Sequence, residues 1–334
     1  MRPYLNQSFP VTKMPDRSIP CEAIRCPLCE SPYGRVSAIG QDYEYQTSAQ
    51  IFSFSVCLRC GHEYLNPRPY NDFIHMAYPS DYYTLEGRHT KKKSRLISLL
   101  KQKVTGRRLS HIKEYLKAGT SVFEVGCGDG SLLIDLKLNN PGIEVSGIDL
   151  RFSPETEAIC REANVKLQRA NVETFVAEEN KYDLIILNQL IEHVVNPDVV
   201  IKKLVRALKA GGYISIETPD KKGYDRRFFY KGCWGGYYFP RHFHLFDREN
   251  LASLLVKNDM DVIKSHSLVA PVIWAFSIHA MLSRNMAPGM KKSMMRWFFS
   301  DKNPVCLGIF TLIDLAAIQL GFRTSNQKII ARKL

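Results

Sequence analysis

Three groups of residues in this chain have the types and spacing that chemistry needs. The first is Cys26, Cys29, Cys57 and Cys60, which form a C-x2-C-x27-C-x2-C pattern. Thiolates are preferred zinc ligands, and each pair can clamp one side of a tetrahedral ion. The intervening segment is long enough for a hairpin, and Pro27 and Gly61 supply turn chemistry at the two knuckles. Four thiolates leave no open coordination position, so the pattern predicts a structural zinc. Two pairs argue against a redox pair. Cys21 is left over, and Cys127, Cys160, Cys233 and Cys306 read as small packed hydrophobes.

The second group is "FEVGCGDG", residues 123–130, with Asp149 at the end of the next predicted strand. Glycines at 126, 128 and 130 permit a tight turn and a close approach of ligand to backbone. A dinucleotide-binding turn needs its third glycine at 131, where this chain has Ser, and a P-loop needs Gly-Lys-Ser/Thr, which is missing. What remains suits a cofactor with an adenosine and no pyrophosphate, its ribose hydroxyls bound by the acid.

The third group is "YYFPRHFHLFD", residues 237–247. In a strand, His242 and His244 would share one face. A metal half-site, a base with a helper and a packed edge strand all fit, but the cysteines already complete a tetrahedral set, which weakens the metal reading.

These groups need elements to position them. From 120 to 217 the pattern alternates: strands over 121–127, 143–150, 165–170, 182–190 and 213–219, with helices over 131–140 and 197–212. Ser153 with Pro154 is a cap and first-turn pair for a further helix. Such alternation predicts right-handed crossovers and a parallel, doubly wound α/β sheet. Residues 260–267 and 327–334 read as two more strands. The predicted organisation is a loose tail over 1–20, a cysteine module over 21–66 and a Tyr-rich, then basic connector over 67–119. The sheet domain follows over 120–334, with an apolar helical insertion at about 268–326.

Composition narrows the setting. The first 20 residues hold no apolar core of a secretory signal, so a cytoplasmic chain with reduced thiols is expected. The net charge is +13, and residues 88–117 carry eleven Lys or Arg against one acid, Glu114. Such a run meets nucleic acid, an anionic membrane or a phosphorylated substrate, or is a solvated linker helix. The apolar stretches 268–282 and 305–320 are shorter than the roughly 20 residues of a membrane span. They are expected to be buried helices, with a membrane-interface position as the alternative.

"VFEVGCGDG", "GIDL", "NVETF", "YDLIILNQLIEHVVNP" and "LKAGGYISIETP" resemble, in order and spacing, the motifs of class I S-adenosylmethionine-dependent methyltransferases over about residues 120–220. The resemblance implies a Rossmann-like, mostly parallel seven-stranded sheet. It implies that Glu124, Gly126 and Gly128 hold the methionine part of the cofactor, Asp149 the ribose and Leu150 the adenine face. Asn171 and Val172 would meet the adenine edge, and Asn188 and Gln189 would line the methyl-donor side. Glu192 and His193 match the family's "EH" pair, with loop-shaping and catalysis both open.

The N-terminal module with "NPRP" and "YPSDYY" resembles, more loosely, bacterial methyltransferases of polysaccharide and antibiotic-sugar pathways. Sugar C-methyltransferases among them carry a His-Glu-His segment, which "RHFHLFD" resembles with Phe243 in place of Glu. This implies a sugar, nucleotide-sugar or lipid-linked glycan acceptor. His244 would be the base, His242 or Tyr82 and Tyr83 would orient the acceptor, and Arg241, Arg226 and Arg227 would hold a phosphate. Three alternatives stand beside it. One is an RNA methyltransferase using the cysteine module and basic run. Another is a quinone or lipid methyltransferase on the inner face of the membrane, using 268–320. The last is a cofactor-binding scaffold without activity.

Overall fold

The computed structural model describes residues 18–79, 110–229, 232–285, 299 and 303–334. They form two compact units. One gathers the described residues up to Pro79 with Thr218–Ser253 and Ser265–Lys328, the other those of Ser80–Glu217, Leu254–Lys264 and Ile329–Leu334.

The second unit is built on the expected seven-stranded sheet. Strands β6 (Ser121–Val125), β7 (Glu144–Asp149), β8 (Lys166–Arg169), β9 (Tyr182–Asn188) and β10 (Leu208–Pro219) run in the order β8-β7-β6-β9-β10, and β13 (Asn326–Lys333) and β12 (Met260–Leu268) complete it. The pairs among β6 to β10 are parallel. Leu184 to Leu187 of β9 are all buried, the continuous apolar run of a strand covered on both faces. Helix α1 (Ser131–Asn139) buries Leu133 and Leu136 against Val122, Cys127, Val145 and Cys160.

Local signals place the helices. Ser153 Oγ accepts the Thr156 N–H at 3.1 Å and Pro154 opens α2 (Pro154–Glu162), as expected. Helix α3 (Pro197–Ala207) stops earlier than the expected residue 212. The chain enters β10 at Leu208, which pairs with Tyr182, and a bulge precedes the pairing of Tyr213 with Leu184. Gly211, at φ +71°, sits in that bulge, so these glycines serve a strand irregularity and not a helix end.

The first unit holds a four-stranded antiparallel sheet in the order β11-β4-β3-β2, from β2 (Gly34–Gly40), β3 (Phe52–Cys57), β4 (Glu63–Leu65) and β11 (His244–Leu245). His244 pairs with Tyr64 and Leu245 with Glu63. The histidine segment thus adds a strand to the N-terminal sheet, although in sequence it follows the strands of the other. Cys21 and Glu22 pair with Pro69 and Arg68 in a separate two-stranded ribbon. The two apolar stretches form α5 (Pro271–Asn285) and α6 (Pro304–Gln319). Trp274 stacks on Phe310 with centroids 5.2 Å apart. Asp314, the one acid of α6, is fully buried and accepts the Ala270 N–H at 2.6 Å and the Trp274 Nε1–H at 2.9 Å, capping the start of α5. Helix α6 is buried along one face only, so the expectation of a wholly buried helix fails for it.

Candidate functional site

In the second unit the glycine loop hooks over the end of β7, because the Gly126 and Cys127 N–H groups both donate to the Ile148 carbonyl, at 2.8 and 3.0 Å. All three glycines have positive φ: +73°, +54° and +69°. Their reasons differ. A Cβ on Gly130 would lie 2.5 Å from Cys160 Sγ, and one on Gly126 3.0 Å from Leu190 Cδ1, whereas one on Gly128 would meet nothing. Gly126 and Gly130 permit close packing, and Gly128 leaves an open face of backbone. The loop ends at Gly130, the cap residue of α1, which offers no side chain to the first-turn N–H groups.

Asp149 is tied to this loop. Its Oδ2 accepts the Gly128 N–H at 2.8 Å and its Oδ1 accepts the Leu150 N–H at 2.7 Å. Burial raises its pKa, and these backbone donors offset only part of the rise. Each oxygen keeps a second lone pair for a hydroxyl. Beside it Leu150 is 64% exposed, an apolar side chain with no core to join. Glu124 is buried in β6, and its Oε1 accepts Asn188 Nδ2–H from β9 at 3.2 Å. Asn188 Oδ1 is buried without a hydrogen-bond partner among the described residues. Gln189 follows in the left-handed region, at φ +50°, held by its N–H to the Glu217 carbonyl at 2.7 Å, with its side chain exposed. Strained non-glycine residues of this kind gather at functional sites. The turn continues to Glu192, fully buried, and His193, half-buried.

Asn171 and Val172 lie after β8 in a turn closed by Asn171, whose side chain accepts the Glu173 N–H at 2.9 Å and whose carbonyl accepts the Phe175 N–H at 2.7 Å. Lys203 of α3 clamps it, its Nζ donating to the carbonyls of Val172 at 2.8 Å and Glu173 at 2.7 Å. Sequence reading missed Lys203. A lysine on an amphipathic helix carries no sign that it grips a loop.

In the first unit the four cysteines converge, their Sγ atoms all within 4.8 Å of one another. Cys26 and Cys60 are 3.6 Å apart and Cys29 and Cys57 3.5 Å. Four sulfurs at about 2.3 Å from one zinc would be roughly 3.8 Å apart, so the donor set fits such an ion. Burial raises the Cys57 pKa, but the Cys60 and Arg59 N–H groups and the neighbouring thiols more than offset it and bring it to about 7. Burial pushes Cys60 up to about 11 and raises Cys26. Gly61 at φ +70° turns the second knuckle, its carbonyl accepting from Lys221 Nζ at 2.7 Å, and the Cys60 carbonyl accepts Asn250 Nδ2–H at 3.1 Å. Cys21 stands apart, its thiol donating to the Ile19 carbonyl at 3.2 Å.

Directly after that knuckle, His62 Nε2 lies 3.1 Å from His244 Nδ1. Burial drives the His62 pKa well down, and His244 and Lys221 push the same way. His244 is 1% exposed; His242 is 7% exposed, with Nδ1 2.8 Å from the Gly236 carbonyl. A carbonyl partner requires the proton on Nδ1, which makes Nε2 the lone-pair nitrogen. The strand containing His244 begins after His242, so the two rings have different partners and form no metal half-site by themselves. Two of the arginines expected to grip phosphate are engaged otherwise. Arg241 is fully buried in a two-pronged pair with Asp42, at 3.0 and 2.7 Å, and Arg226 pairs in the same way with Glu63. Arg227 is exposed. Tyr82, Tyr83 and most of the basic run at 88–117 lie outside the described residues.

A family model described as a methyltransferase domain matches residues 95–265, which is 171 of 334 residues. The chain is similar to the ubiquinone biosynthesis O-methyltransferase of Coxiella burnetii, 29% identical over 119 residues, covering 34% of this chain and 50% of that protein. The protein of the same name from Acinetobacter baylyi is 31% identical over 125 residues, with 34% and 50% covered. The chain thus spans about half the length of the curated relatives it matches. Among solved structures, coclaurine N-methyltransferase is 17% identical, with a TM-score of 0.45 and coverage of 73% of this chain and 75% of that one. With more than half of its residues matched and the expected glycine loop and acid in place, the chain belongs to the methyltransferase-domain family.

Proposed function

We propose that the protein is an S-adenosylmethionine-dependent methyltransferase acting on a small-molecule acceptor, a sugar, nucleotide sugar or lipid-linked glycan precursor. The observation that carries the cofactor half of this reading is the open backbone face at Gly128 beside the Asp149 carboxylate and the exposed Leu150. That set fits an adenosine: ribose hydroxyls on the acid, an adenine face on Leu150, and its edge near Asn171 and Val172. S-adenosylmethionine, when bound, would supply a sulfonium-activated methyl group with a neutral thioether as the leaving group. The acceptor's proton then needs a base at neutral pH. The reading assigns it to His242 or His244, with His193 as the third candidate. The tautomer set by the Gly236 carbonyl favours His242, because its Nε2 carries the lone pair. The sugar class rests on the resemblance of the cysteine module and the "RHFHLFD" segment.

Four thiolates around one Zn²⁺ are proposed as a structural site, with no position left for substrate. A second acceptor class, a quinone or related lipid phenol, is favoured by the names of the curated relatives, which are O-methyltransferases of ubiquinone biosynthesis. A transfer assay with labelled cofactor against nucleotide sugars, lipid extract and RNA decides among them. Label in the nucleotide-sugar or glycan-lipid fraction supports the sugar reading. Label only in quinones or RNA overturns it. Absence of cofactor binding by calorimetry overturns the enzymatic reading altogether.

A further inference from the structure

Helix α6 is apolar on every side, yet only one side is covered. Cys306, Phe310, Asp314 and Ala317 face the interior of the first unit. On the adjoining face Val305, Ile309, Leu312, Ile313 and Leu320 are exposed, Leu312 at 69% and Leu320 at 75%, and Phe322 continues the patch. These positions follow helical spacing, so they form one stripe. From Asn303 to Phe322 the sequence holds no Lys, Arg or Glu, and its single acid, Asp314, is buried. A contiguous apolar stripe of this kind on a polypeptide surface marks an interaction site.

The geometry points to an anionic lipid surface as the occupant, with α6 lying in the membrane interface. Sixteen residues make a helix roughly 24 Å long. Charged residues flanking the stripe, which set register between paired helices, are missing. A lipid interface asks only for apolar side chains beside basic charge. The sequence has both: net charge is +13, and the chain before α6 reads KKSMMRWFFSDK, with four cations against one acid. Among the described residues no helix is long and apolar enough to cross a membrane. The inference does not depend on the methyl acceptor.

Flotation of the full chain with phosphatidylglycerol–phosphatidylcholine vesicles tests it. The protein is expected to float with these vesicles and less with pure phosphatidylcholine. Ile309→Glu with Leu312→Glu is expected to cut binding at least about tenfold, since each buried Leu or Ile is worth about that factor. Both positions face outward, and an unchanged melting temperature checks the fold. Leu312→Phe should float like the wild type, and so should Val199→Glu, an exposed apolar position on α3. Failure of the wild type to float, or equal flotation of the double variant, overturns the proposal. So does a wild-type dimer that the double variant turns into a monomer without any flotation, which would make the stripe a self-association surface.

Discussion

His62 and His244 are separated by 181 intervening residues, yet their ring nitrogens lie 3.1 Å apart, His62 standing just before β4 and His244 in β11, which pairs with it. His62 follows the second cysteine knuckle, whose Cys60 and Gly61 carbonyls are held by Asn250 and Lys221. The segment from 221 to 250 is therefore fastened to the cysteine module at the knuckle and again at the imidazole pair. Loss of one ring leaves a cavity and an unmatched nitrogen. His62→Ala is expected to destabilise the protein by about 2–4 kcal/mol. A double-mutant cycle with His244→Ala should show coupling of roughly 0.5–3 kcal/mol in chemical denaturation; additive effects would mean the contact contributes nothing.

Metal analysis of the purified chain should find one zinc, lost in Cys57→Ser and Cys26→Ser. Because both thiols belong to one donor set, either variant should be destabilised by more than about 4 kcal/mol, as for other lost metal sites. Cobalt in place of zinc should give the intense thiolate charge-transfer absorption of a four-sulfur site. Metal-free protein of undiminished stability would remove the site.

Asp149→Ala should weaken S-adenosylmethionine binding by roughly 10- to 100-fold, the value of hydrogen bonds to a charged acceptor, as read by calorimetry. Gly130→Ala should act on folding instead, since its Cβ would fall 2.5 Å from Cys160 Sγ. Gly128→Ala meets no protein atom, so its larger effect should be on cofactor affinity, with a lower cost of about 1 kcal/mol from φ +54°.

His242→Ala is expected to lower kcat by about 100-fold or more, the usual share of a positioned base, without moving cofactor affinity. His244→Ala should lower stability and kcat together. Normal turnover in His242→Ala would transfer the proton to His244 or His193, and the pH dependence of kcat in each variant would show which.

Asp225 is fully buried, and its pKa is raised by burial to about 6 although Ser325 donates to its Oδ2. The folded state therefore holds this proton more tightly than the unfolded chain. Its contribution to stability is complete below about pH 4, fades as pH rises towards 6, and is lost above. Asp225→Asn should gain on the order of 1–3 kcal/mol relative to wild type at pH 7.5 and little at pH 4. Denaturation midpoints at the two pH values check this, and a gain equal at both would reject it.

Local chemistry carried much of the reading. Ser153 with Pro154 caps a helix, glycines at 126, 128 and 130 take positive φ, and two knuckles of paired cysteines meet, because each depends on neighbours within a few residues or on a repeated spacing. Periodicity showed the alternation of strands and helices and the parallel sheet it implies, whereas the order of the seven strands is set by tertiary pairing. Other features rest on contacts far apart in sequence, which no local pattern encodes. The early end of α3 came from β10 pairing with β9 through a glycine bulge. Burial with Asp42 and Glu63 turned Arg241 and Arg226 into structural ion pairs. Composition shows α6 as apolar throughout, but only packing against α5 decides which face is spent on the core and which remains exposed. The histidine segment made the difference plainest: its residues suggested chemistry, and the free edge of β4, which only the folded chain presents, decided that His244 would stand beside His62.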